Sequence, residues 1–447
     1  MKAQKMKTAF AAAITACAAV SGIAVLPEVT DMTVRQVRRT VTIEYSLTQS
    51  PAVVTLDVQT NGANGWVSIG GEHIQNFTED SDVFRIVGGK SRYSIKWRPD
   101  LSWPGHRVPA NNIRAVLTAW ETNAPPDYMV VDLTTVSTNA QAYYPSEEFL
   151  PGGLLGNDDY RTTKIVMRRI HAKNVEWTMG SVNEVGRDAA NEIPHLVTLS
   201  NDYYIGVFPV TQTQWFRVMG TSPSVWTNEA YKTMRPADNL AYNDVRCSAY
   251  QEKGGNVVAD TSTYWPNAPH KKSFLGVIRR RTSIDFDMPS EAQWEFACRA
   301  GNGEGKWGDG SAYSNAEEDP NLPGRYKYNG GLVNGTDTPD RFCSTDNATA
   351  AVGSYGKNSW GIYDMHGNVA EWCNDYWISD RSSLKGAVNI SADGQSPLIG
   401  SSASRAMRGG AYNSPASGCR SAWRAGGTAS YRSEPRGVRL VCMGSIE

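Results

Sequence analysis

Between Trp177 and Leu440 the chain sets tryptophans and glycines into short segments separated by long polar stretches. In order they are Trp177-Thr-Met-Gly-Ser181, Glu192-Ile-Pro-His195, Phe208-Pro-Val-Thr-Gln-Thr-Gln-Trp-Phe216, Met288-Pro-Ser-Glu-Ala-Gln-Trp-Glu-Phe-Ala-Cys-Arg-Ala-Gly301 and Trp360-Gly-Ile-Tyr-Asp-Met-His-Gly-Asn-Val-Ala-Glu-Trp372. Arg408-Gly-Gly-Ala-Tyr412, Cys419-Arg-Ser-Ala-Trp-Arg424 and Gly437-Val-Arg-Leu440 complete the series. No such segment can bury its aromatic ring alone, so they are expected to converge into a compact, helix-poor body. A content of 14 Trp, 41 Gly and 22 Pro fits a loop-rich, aromatic-pinned fold.

A length of 447 residues exceeds what one hydrophobic core usually serves, so two folded domains are expected. The formal charge of -1 leaves no basic excess to neutralise phosphates, which argues against a nucleic-acid partner. Lys2, Lys5 and Lys7 precede a run from Thr8 to Leu26 that is apolar or small throughout, the pattern of a secretory signal over 1–26. That run is mostly Ala and is interrupted by Thr8, Thr15, Cys17 and Ser21, so no transmembrane span is expected. Ile14-Thr-Ala-Cys17 looks like a lipobox, and the expected location is secreted, periplasmic or lipid-anchored to the cell envelope. Setting Cys17 aside leaves six cysteines, compatible with three disulfides or with buried thiols. Without a C-x-x-C pair, a zinc site is disfavoured.

Residues 28–135 read as a small all-β sandwich: Val41–Leu47, Val53–Val58, Tyr93–Trp97 and Tyr128–Leu133 alternate, with Asn61-Gly62, Asn64-Gly65 and Gly88-Gly89 as turns. Nothing in it carries catalytic chemistry, which suggests a spacer or adhesion module. Pro and Gly at 136–159 mark a linker, and 160–447 forms the second domain. Within that domain Gly254–Ser283 lacks periodicity and reads as a surface excursion.

Two segments announce helices. Ser290 is placed to cap a helix while Gln293 bonds back, and Thr211 caps another whose Trp215 and Val218 face inward. Trp294, Ala297 and Cys298 share one face of the first. Asp364 to Glu371, by contrast, brings two carboxylates and several carbonyls into a loop turned at Gly367, and such hard oxygens suit calcium.

The motif succession resembles the formylglycine-generating enzyme family, the sulfatase-modifying factors. That resemblance implies an α+β, C-type-lectin-like fold for 160–447, and it does not reach the N-terminal domain. It implies a structural Ca2+ held by the side chains of Asp364 and Glu371 and the carbonyls of Gly367 and Val369, with a second site somewhere in Asn329–Asp340. It also implies an O2-dependent, copper-assisted oxidation of a cysteine in an exported sulfatase peptide to formylglycine. That chemistry uses two thiolates beside an Arg-Gly-Gly-Ser-Tyr motif, because copper(I) requires soft sulfur ligands.

Here the first cysteine position holds Ser414, the second holds Cys419, and the motif serine is Ala411. Counting back from Arg424 puts Cys419 outside the pair altogether. The catalytic cysteine pair is therefore incomplete, and Cys419 is expected in a disulfide with Cys298, with Cys247–Cys442 as a second bridge. The iron-binding H-x-x-x-H-x-E arrangement of the related sulfoxide synthases does not occur, and the six histidines are isolated. Ser401–Arg436, rich in Ser, Ala, Gly, Tyr and Arg, would build a pocket from Arg408, Tyr412, Trp423 and Arg424. Two functions stay open: cysteine oxidation, and non-catalytic lectin-like recognition of a protein or glycan ligand, with a retroelement-diversified receptor as one form of the latter. The fold is common to both and does not decide between them.

Overall fold

The computed structural model describes residues 11–12, 26–135, 140–184, 186–227, 233–247, 252–253, 256–257, 267–301, 307, 322–329, 348–379, 381 and 404–443. Nearly all of the expected secretory segment, Cys17, Cys343, 330–340 and 401–403 lie outside the described residues. These residues fall into two units, 26–129 with 141–157, and 130–135, 140 and 158–443.

In the first unit, β1 (Val29–Val37), β2 (Thr40–Leu47) and β6 (Tyr93–Trp97) form one antiparallel sheet. A second antiparallel sheet joins β3 (Ala52–Gly62), β4 (Gly65–Ser68), β5 (Arg85–Val87) and β7 (Ile113–Trp120). Alternation decides the register: Val41, Ile43 and Tyr45 lie opposite Trp97, Ile95 and Tyr93, and all six are buried. Together with Val54, Leu56 and Val58 of β3 they make one core. The β3–β4 hairpin closes on Gly62 and Gly65, the latter at φ 83°.

Residues 141–157 are not a linker. Tyr143 N donates to Phe84 O at 2.8 Å, Tyr144 stacks on Phe84, and Leu150 is fully buried. The backbone of Phe149 passes so close to Gly71 that a Cβ there would lie 2.2 Å from its Cα. Pro and Gly in this stretch shape turns, while its aromatic residues supply core.

In the second unit, β8 (Lys164–Ile170), β11 (Tyr203–Gly206) and β16 (Val441–Met443) pair antiparallel, and β9 (Val175–Met179) and β10 (His195–Leu199) form a hairpin. A further sheet runs β14 (Arg424–Thr428), β13 (Ser404–Arg408), β12 (Ala370–Tyr376), β15 (Arg436–Gly437). Glu371 lies opposite Arg408 on one side and Gly437 on the other, so the Trp360–Trp372, Arg408–Tyr412 and Gly437–Leu440 segments do converge.

Short helices α1 (Gln212–Met219), α2 (Tyr242–Arg246), α3 (Phe274–Thr282) and α4 (Glu291–Arg299) pack around these sheets. Both expected capping boxes form: Gln293 N donates to Ser290 Oγ at 3.2 Å while Ser290 N donates to Gln293 Oε1 at 2.9 Å, and Thr211 with Gln214 repeats the pattern. Of Gly254–Ser283, expected as a surface excursion, 254–255 and 258–266 lie outside the described residues, and the described remainder carries the buried helix α3. Its Phe274 stacks on Trp215 at 4.5 Å, and Leu275 and Ile278 are buried. Nine residues are too few for a clear helical period beside three arginines, so the pattern was hidden. No helix of the described residues is long and apolar enough to cross a membrane.

Replacing Ser290 with Ala is expected to lower unfolding free energy by about 1 kcal/mol in urea titrations, and Thr211→Ala should cost a similar amount. Unchanged midpoints in both variants would show that these caps do not support the fold.

Candidate functional site

The α4 helix carries Glu291, Glu295 and Arg299 at four-residue spacing, so the three side chains line one face. All three are buried, and each is met by ions from distant segments. Glu291 binds Arg424 through Nη2 at 2.6 Å, Arg381 at 2.7 Å and Arg408 at 3.4 Å, and its own backbone N–H donates to Asp375. Glu295 accepts from Arg408 and from Arg299 Nε, the latter at 2.8 Å. Arg299 Nη2 reaches the Gly180 carbonyl at 2.8 Å and Glu184 at 3.5 Å, while Arg420 joins Glu184 to Glu192 at 2.7 Å each.

The carboxylates Glu184, Glu192, Glu291 and Glu295 are thus ion-paired with Arg299, Arg381, Arg408, Arg420 and Arg424, and Asp375 lies beside them, its charge acting on Arg381. Burial alone would raise the Glu291 and Glu295 carboxyls. The surrounding arginines outweigh it and hold both below their ordinary value. At Glu184 burial wins and its carboxyl is raised.

This arrangement reassigns two expected pocket residues. Arg408 and Arg424 are core ion partners, with Arg408 also lying 5.5 Å from the Trp294 ring centroid. Tyr412 is buried and donates to Glu434 at 3.4 Å, and Trp423 is half-buried.

Ser414 and Cys419 meet on either side of Ala411. Ala411 N donates to Ser414 Oγ at 3.0 Å, and Cys419 Sγ faces Ala411 O at 4.0 Å. Burial pushes the Cys419 thiol up to about 12. One sulfur beside a hydroxyl does not fit a copper(I) site that takes two soft sulfur ligands.

The expected calcium residues also share one segment, but their charged oxygens are committed to protein donors. Arg439 clasps both Glu371 oxygens, at 2.8 and 2.9 Å, and donates to the carbonyls of Tyr363 and Asp364. Trp294 Nε1 takes Glu371 Oε2 at 2.6 Å. Asp364 accepts from Gly353 N at 2.7 Å and Asn368 Nδ2 at 3.2 Å. The guanidinium supplies the positive charge a dication would bring, so the Asp364 and Glu371 carboxylates as arranged do not fit calcium, while no described donor takes the Gly367 or Val369 carbonyl.

The expected bridges do not form. Cys247, Cys298, Cys373, Cys419 and Cys442 are buried thiols, and no disulfide joins any two of them. Cys298 Sγ faces Ser421 Oγ and His366 Nε2, each at 3.6 Å, whereas Cys419 Sγ points to Ala411. His366 is itself buried, its Nδ1 2.8 Å from the Cys419 carbonyl.

An open cavity of about 570 Å³ lies elsewhere, between the turn after β9 and the end of α4. Trp177, Phe296 and Trp360 form an aromatic wall, with ring centroids 5.4 and 5.2 Å apart in sequence along it. Glu184 and Arg299 of the ion network reach this cavity, and the exposed Val175 and Val182 line it too. Gly180 (φ 94°) makes the turn possible, since a Cβ there would lie 2.6 Å from the Ile193 carbonyl oxygen. The Trp177–Ser181 and Met288–Gly301 motifs are legible in the sequence but their meeting is not; Trp177 is the one half-buried side chain between the exposed Val175, Glu176 and Thr178.

The family model described as "Sulfatase-modifying factor enzyme 1-like domain" (FGE-sulfatase) matches residues 161–443. The chain belongs to the FGE-sulfatase family. Among curated relatives of this FGE-sulfatase protein, "Chaperone protein LppX" of Paenibacillus barcinonensis is 31% identical over 208 residues, covering 44% of this chain and 70% of the relative. The formylglycine-generating enzyme of Thermomonospora curvata is 32% identical over 130 residues, covering 28% of this chain and 38% of that enzyme. Among solved structures, Treponema denticola variable protein 1 aligns with a TM-score of 0.43 at 24% identity, covering 63% of this chain and 96% of its own.

Removing Glu295 as Glu295→Ala would strand Arg299 and Arg408 without a shared counter-ion, and is expected to cost about 3 to 5 kcal/mol by chemical denaturation. Both Glu291 and Glu295 sit below the ordinary 4.5, so the stability they supply is present above that pH and is lost as pH falls below it toward their folded values. Thermal melts from pH 7 down to 3 check the sign. In the same assay, EDTA should leave the melting midpoint unchanged; a drop reversed by calcium would restore a cation to the Asp364–Glu371 segment.

Proposed function

We propose that this FGE-sulfatase protein is exported and binds a small ligand in the Trp177–Arg299 cavity, having lost oxidation of a sulfatase cysteine. The observation that carries the reading is the Ala411 neighbourhood, where Ser414 Oγ accepts a backbone hydrogen bond and the buried Cys419 is the one sulfur against Ala411 among the described residues. An enzyme working through two thiolates needs both sulfurs, ionised and within reach of the peptide. The C-terminal FGE-type domain keeps the family's α+β scaffold while its chemistry is absent. The signal-like 1–26 segment supports a location outside the cytoplasm, secreted, periplasmic or anchored through a lipid at Cys17, with the N-terminal unit as a β-sandwich spacer or adhesion module.

A second reading takes its support from the Paenibacillus relative, whose name is that of a chaperone and of which this chain covers 70%. In that reading the protein assists the folding of an exported partner, and it should then slow the aggregation of a denatured secreted enzyme at equimolar ratio.

Incubating the purified full chain with copper(I), oxygen and a Cys-x-Pro-x-Arg peptide tests the main reading. The peptide thiol should remain and no aldehyde should form. Turnover by folded protein would overturn the proposal and reinstate the family reaction.

A further inference from the structure

We propose that the Trp177–Phe296–Trp360 cavity is a subsite for a neutral saccharide, with a pyranose ring on the aromatic wall and two adjacent hydroxyls bridging Arg299 and Glu184. The inference rests on the ligand-binding reading above and names its ligand class.

Arg299 is only 2% exposed, yet its guanidinium is incompletely used. Its Nε goes to Glu295 and its Nη2 to Gly180 and Glu184, while Nη1 makes no hydrogen bond among the described residues. That N–H has no described partner and is not one of the buried unpartnered atoms, so it is open to solvent, and the residue lines the cavity. The 3.5 Å separation from Arg299 to Glu184 Oε1 is the widest of the Arg299 contacts, which leaves that oxygen open to a further donor. The cavity therefore offers a donor and an acceptor side by side. A hydroxyl is both donor and acceptor, so a vicinal diol can accept from Arg299 with one oxygen and donate to Glu184 with the next.

Charge selects a neutral ligand over an anion. The network beneath the cavity pairs four carboxylates with five guanidiniums, while Asp375, whose charge acts on Arg381, and Glu176 of the lining supply further negative charge. An entering carboxylate or phosphate would lose water without meeting an unmatched positive charge. The rest of the lining is chiefly apolar, with Val175 and Val182 adding to the three rings. A pyranose has that division on a single ring, C–H groups on its face and hydroxyls at its edge. The volume lies within the range of about 300–1,000 Å³ usual for small-molecule sites.

Calorimetric titration of the full chain with the methyl glycosides of glucose, galactose, mannose and N-acetylglucosamine, and with glucuronate and indole, tests the assignment. At least one neutral glycoside should bind saturably with a Kd of about 1 mM or tighter, and Val182→Trp and Trp360→Ala should each weaken it about tenfold or more. Val182 is 53% exposed, so its variant obstructs the cavity without entering the core. Indole entering while every glycoside fails would overturn the saccharide class and leave the cavity a ligand site. Failure of indole and glycosides alike would overturn both readings. Tighter binding of glucuronate than of any neutral glycoside, or affinity untouched by both substitutions, would also overturn the proposal.

Discussion

Glu291 and Glu295 on one short helix hold together segments that are more than a hundred residues away in the chain, through Arg408 and Arg424. Ions this deep are costly to desolvate, and they are tolerated because nearly every oxygen has an arginine partner. The pairing also fixes geometry in a way apolar packing would not. A guanidinium accepts carboxylates only in its own plane and direction, so β13, β14, the 178–192 turn region and α4 are each aimed at a particular neighbour. In a domain made of short strands and long irregular connections, directional contacts of this kind replace the register that long strands would otherwise enforce.

Local features were legible in the sequence and distant pairings were not. The two capping boxes, the turn at Gly367 and the alternating strands β2, β3 and β6 each depend on residues within a few positions of one another. The convergence of the Trp372 and Arg408 segments was legible because the order of whole motifs carried it. What failed needed partners far along the chain. Asp364 and Glu371 read as calcium ligands until Arg439, 68 residues beyond Glu371, takes the carboxylate. Cysteine spacing suggested bridges, but spacing does not set where a sulfur points, and Cys298 turns to Ser421 and His366. The cavity escaped for the same reason, being formed where the Gly180 turn lies against the end of a helix more than a hundred residues later.

The domain separates scaffold from chemistry. Ser414, where the family resemblance leads one to expect a cysteine, keeps the loop closed by accepting the Ala411 N–H. A serine hydroxyl hydrogen-bonds a backbone amide more strongly than a thiol would, so the substitution favours a rigid turn over a reactive one. Rigid turns over a balanced ionic core are a good foundation for recognition, since little conformational entropy remains to be lost when a ligand settles.

Residues 436–443 are woven into the middle of the second unit. Gly437 lies beside Glu371, Arg439 reaches the carbonyls of Gly206 and Val207, and Val441 pairs with Ile205 and bonds Asp287. The central sheet consequently lacks a strand, and Glu371 its counter-ion, until synthesis has reached residue 443. The first unit draws on none of residues 158–443 for its core, so it can fold while the rest is still being made. The second unit must instead wait until residue 443 has been made, and a chain cut short just before the 436–443 stretch would have one folded half and one open one.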